Sequence, residues 1–153
     1  MNFEGTVTIN ASQDKVWASL TDPSFVSQCA PGLVSMEVLE PDKLFKVVAG
    51  IGLGSVKVTF DTQVAFLELN NPDYARIKAH GMAPGSAVDV TSDMHLSSLS
   101  ASATELAWTA DVVIVGSIAN LASRLMGGVV KRLSAAFFDC VKEKIEEGTK
   151  IQA

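Results

Sequence analysis

His80 and His95 are the only histidines among the 153 residues, and imidazole is the side chain that most readily moves protons near neutral pH. With Tyr74, Asp89 and Asp93 they make a constellation able in principle to supply general acid–base chemistry. Their spacing argues against that use. Asp89, Thr91, Asp93 and His95 alternate with Val88, Val90, Met94 and Leu96, so on a strand the polar set takes one face and the apolar set the other. The apolar set is expected inside and the polar set in water, and no catalytic residue is assigned. Cys29 and Cys140 fit neither a zinc-ligand spacing nor a CxxC pair. Two reduced thiols are expected in preference to a structural disulfide, with no metal and no cofactor.

The glycines invite a second chemical reading. Gly50, Gly52 and Gly54 suggest a phosphate loop, but a dinucleotide fingerprint needs strand, glycine loop and helix in that order. Here the strand Ser55–Leu67 follows, and no Lys-Ser/Thr pair completes a Walker motif. A flexible hairpin loop is expected. Gly127-Gly128 falls inside a helical pattern, where each glycine costs about 1 kcal/mol against alanine. Either the sheet backbone approaches closely there, or the helix bends to admit a ligand. Trp17 and Trp108 read as core or as ligand walls. Arg124 and Lys131 read as solvated helix charges, the alternative being that one reaches a cavity mouth.

The elements that must position these residues follow from period. Phe3, Gly5, Val7 and Ile9 alternate with Asn2, Glu4, Thr6 and Thr8, which predicts a half-buried strand. Ser12 can cap a short helix bearing Val16, Trp17 and Leu20, and Asp22-Pro23 can start another that ends by Cys29-Ala30-Pro31-Gly32. Strands are then predicted over Leu33–Glu40, Lys43–Ala49, Ser55–Leu67, Tyr74–His80, Ser86–Ser98 and Thr104–Val115. The turns between them are too short for parallel crossovers, so the seven strands are antiparallel. After Gly116 the period changes: Ile118, Leu121, Leu125, Val129, Leu133, Phe137, Cys140 and Val141 form a helical stripe. A helix from Ile118 to Glu147 would be about 45 Å long and able to cross the whole sheet.

Composition narrows the function. The chain is 48% hydrophobic and 19% charged with a net charge of −5, which suits a folded domain and argues against nucleic acid. Met1-Asn2-Phe3-Glu4 lacks the basic start of a signal peptide, and no apolar run approaches the roughly 20 residues of a spanning helix. A cytoplasmic protein is expected, possible contact with the inner face of a membrane being made through apolar tips.

Val16-Trp17-Ala18-Ser19-Leu20-Thr21-Asp22-Pro23, followed by Cys29-Ala30-Pro31-Gly32, resembles the opening of the CoxG family of carbon monoxide dehydrogenase subunits. That family lies in the START/Bet v 1-like (SRPBCC, polyketide cyclase-like) superfamily. Gly116-Ser117-Ile118-Ala119, Ser123-Arg124-Leu125, Gly128-Val129-Val130-Lys131 and Phe137-Phe138 carry the resemblance through the second half. It implies an α+β helix-grip fold: a curved seven-stranded antiparallel sheet around a long C-terminal helix, with two short helices after the first strand. It also implies a ligand cavity without known catalysis, and a molybdenum hydroxylase of the carbon monoxide dehydrogenase type as partner. The segment around Met82-Ala83-Pro84 is shorter than in many relatives, and the sequence stops at Ala153 where some extend into a tail.

The reading is therefore one domain over residues 1–150, with 151–153 as a tail, that holds a hydrophobic small molecule, quinone or lipid-like. Val58, Phe60, Val64, Met94, Trp108 and Val112 from the sheet, and Leu121, Leu125 and Val129 from the helix, are expected to line the cavity. Gly52, Gly54, Gly127 and Gly128 are expected to gate it, since in related folds the glycine hairpin lies at the mouth. The alternatives are a cyclase- or hydratase-like enzyme using the cavity, and a protein-binding accessory factor without ligand.

Overall fold

Strict alternation leaves each strand one face to bury, and pairing through short turns collects those faces on one side of a sheet. The computed structural model describes residues 1–152, with side chains through Glu147. Strand β1 (Asn2–Ile9) is followed by helices α1 (Gln13–Leu20) and α2 (Pro23–Cys29). Strands β2 (Leu33–Glu40), β3 (Leu44–Leu53), β4 (Val56–Asn70), β5 (Tyr74–Ala83), β6 (Ser86–Ser100) and β7 (Ala103–Gly116) come next, then helix α3 (Ala119–Gln152). One antiparallel sheet results, in the order β1-β7-β6-β5-β4-β3-β2. The first and last strands pair, from Asn2 opposite Asp111 to Ile9 opposite Thr104. This is the expected α+β helix-grip architecture.

The caps act as their residue types dictate. Ser12 accepts from the Lys15 amide at 3.3 Å, and Asp22 from the Ser24 amide at 3.0 Å with Pro23 in the first turn. Val16, Trp17 and Leu20 on α1 join Ile9, Leu96, Leu106, Val141 and Ile145 in a solid core at one end of the sheet. Trp17 is thereby a core residue. Thr104, fully buried there, donates to the Ala11 carbonyl at 2.8 Å.

Three expectations need correction. Cys29 at the end of α2 and Cys140 on α3 form a disulfide rather than two free thiols. Nothing in a separation of 111 residues signals this; the fold brings their Cα atoms to 5.5 Å, within bridging range. The argument from reduced cysteines to a reducing compartment falls with it. Second, the glycine loop is mostly strand: Gly50 and Gly52 pair with Thr59 and Lys57, leaving only Gly54-Ser55 as the turn. Ile51 and Leu53 face inward between them, and the bare Gly50 makes room for Lys57, whose Cε would lie 2.7 Å from a Cβ placed there. Third, α3 continues past its expected end at Glu147 to Gln152. Ala153 lies outside the described residues. Among the described residues no helix is long and apolar enough to cross a membrane.

Candidate ligand cavity

The solid core fills only one end of the space between sheet and helix. Between that core and the β3–β4 turn, sheet and helix line a half-open cavity of about 620 Å³. Its floor is the inward set of β3 to β7, which includes Phe60, Val64, Met94, Trp108 and Val112; its roof is Ile118 and α3 from Met126 to Phe138, and α2 with Ala30-Pro31 closes one side. Trp108 stacks on Phe138 at 6.3 Å between ring centroids. No residue of the wall carries a charge or an imidazole. Such a space can hold an apolar molecule by excluding water from both surfaces, at roughly 25 cal/mol per Å² of apolar area.

Six of the nine expected lining residues meet in this wall: Phe60, Val64, Met94, Trp108, Val112 and Val129. Val58, Leu121 and Leu125 do not. Val58 is half-buried opposite Ile51, and of that pair only Ile51 belongs to the wall. For α3 the error is one of phase. A stripe stepped by four residues drifts about 40° per step, so Leu121 lies about 80° around the helix from Val129. Met126, Val130, Ser134 and Phe138 take the inward positions instead. Leu125 packs over the β3–β4 turn, its Cδ1 3.4 Å from where a Gly54 Cβ would be.

The gate glycines divide. Gly54 has φ +64, a left-handed conformation that side chains resist, and it forms the turn beneath Leu125. Gly52 is tied to the helix, since Arg132 Nη2 donates to its carbonyl at 3.1 Å. Gly127 and Gly128 lie on the exposed side of α3, and a Cβ at either would meet nothing within 4 Å. Close approach of the sheet is therefore not why they are glycines. Arg124 and Lys131 are both exposed.

The acid–base candidates lie on the other face of the sheet. His80 Nδ1 is 2.7 Å from Asp89, Tyr74 donates to Asp93 at 2.6 Å, and Arg76 pairs with Asp93 at 3.2 Å. His95 is exposed against the Tyr74 ring. The hydrogen bond to Asp93 holds the Tyr74 phenol above its ordinary pKa. Among the described residues no cluster of His, Cys, Asp and Glu could hold a metal ion.

Two contacts around the cavity escaped the sequence reading. Gly5 on β1 lies under the Trp108 indole, and a Cβ there would come within 2.8 Å of Nε1. A glycine inside an alternating strand was the available signal. Arg132 gave none, because its partner is a backbone carbonyl 80 residues away.

Residues 5–146 match the CoxG family of carbon monoxide dehydrogenase subunits. No curated protein sequence matches the chain significantly. Among solved structures, a conserved protein from Geobacillus kaustophilus is similar with a TM-score of 0.88 and 25% identity, covering 96% of both chains. The Zhui aromatase/cyclase from a Streptomyces species aligns with a TM-score of 0.74 and 22% identity over 95% of this chain and 93% of its own. A truncated norcoclaurine synthase from Thalictrum flavum gives 0.67 and 11% identity, over 95% and 92%.

Proposed function

The chain belongs to the CoxG family of carbon monoxide dehydrogenase subunits, and from that premise we propose that it is a non-catalytic carrier holding a hydrophobic small molecule in its cavity. The observation that carries this reading is the uncharged, almost wholly apolar wall around about 620 Å³, a volume usual for small-molecule sites. A quinone or a lipid-like molecule suits such a wall. The partner is a molybdenum hydroxylase of the carbon monoxide dehydrogenase type, in keeping with the family's name. Exposed tips such as Val56 and Leu99 are available for passing contact with a membrane surface.

Two structural neighbours are named as enzymes, a cyclase and a norcoclaurine synthase. Acid–base catalysis in the cavity would need a titratable group aimed into it, and the wall supplies neither a carboxylate nor an imidazole. That favours holding over converting. Native mass spectrometry of the purified protein, followed by solvent extraction, tests the proposal. An apolar molecule bound near one per chain is expected. A protein that carries nothing and takes up neither a quinone nor a lipid refutes it.

A further inference from the structure

Four hydroxyl side chains lie in the cavity wall, and three are already committed. Ser27 donates to the Ser24 carbonyl at 3.1 Å, Ser92 to the Thr109 carbonyl at 2.8 Å, and Ser134 to the Lys131 carbonyl at 3.3 Å. The fourth is Thr62, on β4. Among the described residues no hydrogen bond reaches its Oγ1.

Its surroundings sharpen the point. Val47, Thr62, Gly81, Val88 and Ile114 form one row across five strands, each opposite the next, and all five belong to the wall. Thr62 is the one polar side chain of that row. Gly81 beside it is bare for a reason: a Cβ there would lie 2.9 Å from Thr62 Oγ1 and 3.0 Å from Val88 Cγ1. The hydroxyl thus leans over the glycine, and a side chain at 81 would displace it. The hydroxyl is open to the cavity rather than sealed in the wall, so its hydrogen bond is left to whatever occupies that space, and valine would fill the same shape without offering one. The other uncommitted polar group, the Trp108 Nε1, is turned against Gly5 at the β1 side.

We propose that Thr62 is the polar anchor of the bound molecule, its Oγ–H donating to a carbonyl or hydroxyl oxygen, and that Gly81 holds this hydroxyl in position. The inference rests on the carrier reading and narrows it. The ligand is an uncharged, oxygen-bearing apolar molecule rather than a fatty-acid anion, because no cation lines the cavity to receive a carboxylate.

The test is equilibrium binding to the full chain with a matched pair of probes: an alkyl naphthoquinone and the alkylnaphthalene of equal chain length, which lacks the carbonyls. Thr62→Val should weaken the naphthoquinone about three- to tenfold, the span of one neutral hydrogen bond, and leave the hydrocarbon within about twofold. Thr62→Ser should keep the naphthoquinone affinity. Equal naphthoquinone binding by Thr62→Val and the parent protein would overturn the anchor, as would an equal loss for both probes. A parent protein that binds neither probe would overturn the carrier reading and the anchor with it. A tenfold preference of the parent protein for a fatty-acid anion over the naphthoquinone would overturn the choice of ligand class.

Discussion

Replacing Gly127 and Gly128 together by alanine should make the protein more stable. Both lie within α3, neither has a positive φ, and each would point a new methyl into open space. The collision with the sheet that would make such a change costly is thus absent. What remains is the intrinsic helix preference, about 1 kcal/mol for each position and so up to about 2 kcal/mol for the pair. For a domain of this size that corresponds to a rise in Tm of about 4–8 °C. The two glycines separate Met126 from Val129, both in the cavity roof, so a bend there would lift the roof. If bending admits the ligand, the double variant loads a fluorescent apolar probe more slowly in stopped-flow mixing while melting higher. A melting temperature unchanged or lowered would refute the argument from exposure. A higher melting temperature with unchanged loading would remove the gate and leave the glycines without a role.

Gly5→Ala should destabilise the fold by about 1–3 kcal/mol, because the methyl meets the Trp108 indole at 2.8–2.9 Å, and denaturant melts with the tryptophan emission maximum would report both effects. Reducing Cys29–Cys140, or replacing both by serine, should cost about 2–4 kcal/mol, since the bridge closes a long loop in the unfolded chain; equal melts with and without a dithiol would contradict this. The chain has a single tyrosine, so phenolate absorbance reads Tyr74 alone, and its titration should come above the ordinary value near 10 and move down in Asp93→Asn. The stability owed to that raised pKa is complete below pH 10 and lost as pH climbs through the folded-state value. Replacing His80 and His95 together by alanine should leave naphthoquinone affinity unchanged in the same binding assay, because both lie on the face away from the cavity.

Period decided most of what could be read directly. Alternation at two residues located the strands and told their faces apart, so Phe60, Val64, Met94, Trp108 and Val112 were legible as inward side chains. It works because a pleated strand turns its side chains by half a revolution at each step, leaving no ambiguity of phase. Helical period is more forgiving, and there the reading slipped. The apolar residues of α3 cover more than one face, and only the distance to the sheet decides that Met126 and Val130 roof the cavity while Leu125 covers the β3–β4 turn. The remaining features depend on groups far apart in the chain. Cys29 meets Cys140, Arg132 meets the Gly52 carbonyl, and Trp17 enters the core while Trp108 faces the cavity. Thr62 is the sharpest case. As a residue in a strand it looks like any threonine, and its significance is a missing partner, which exists only once every neighbouring hydroxyl has been placed. Local sequence determines which face a side chain takes; what that face meets is settled by the packing of elements that the sequence keeps apart.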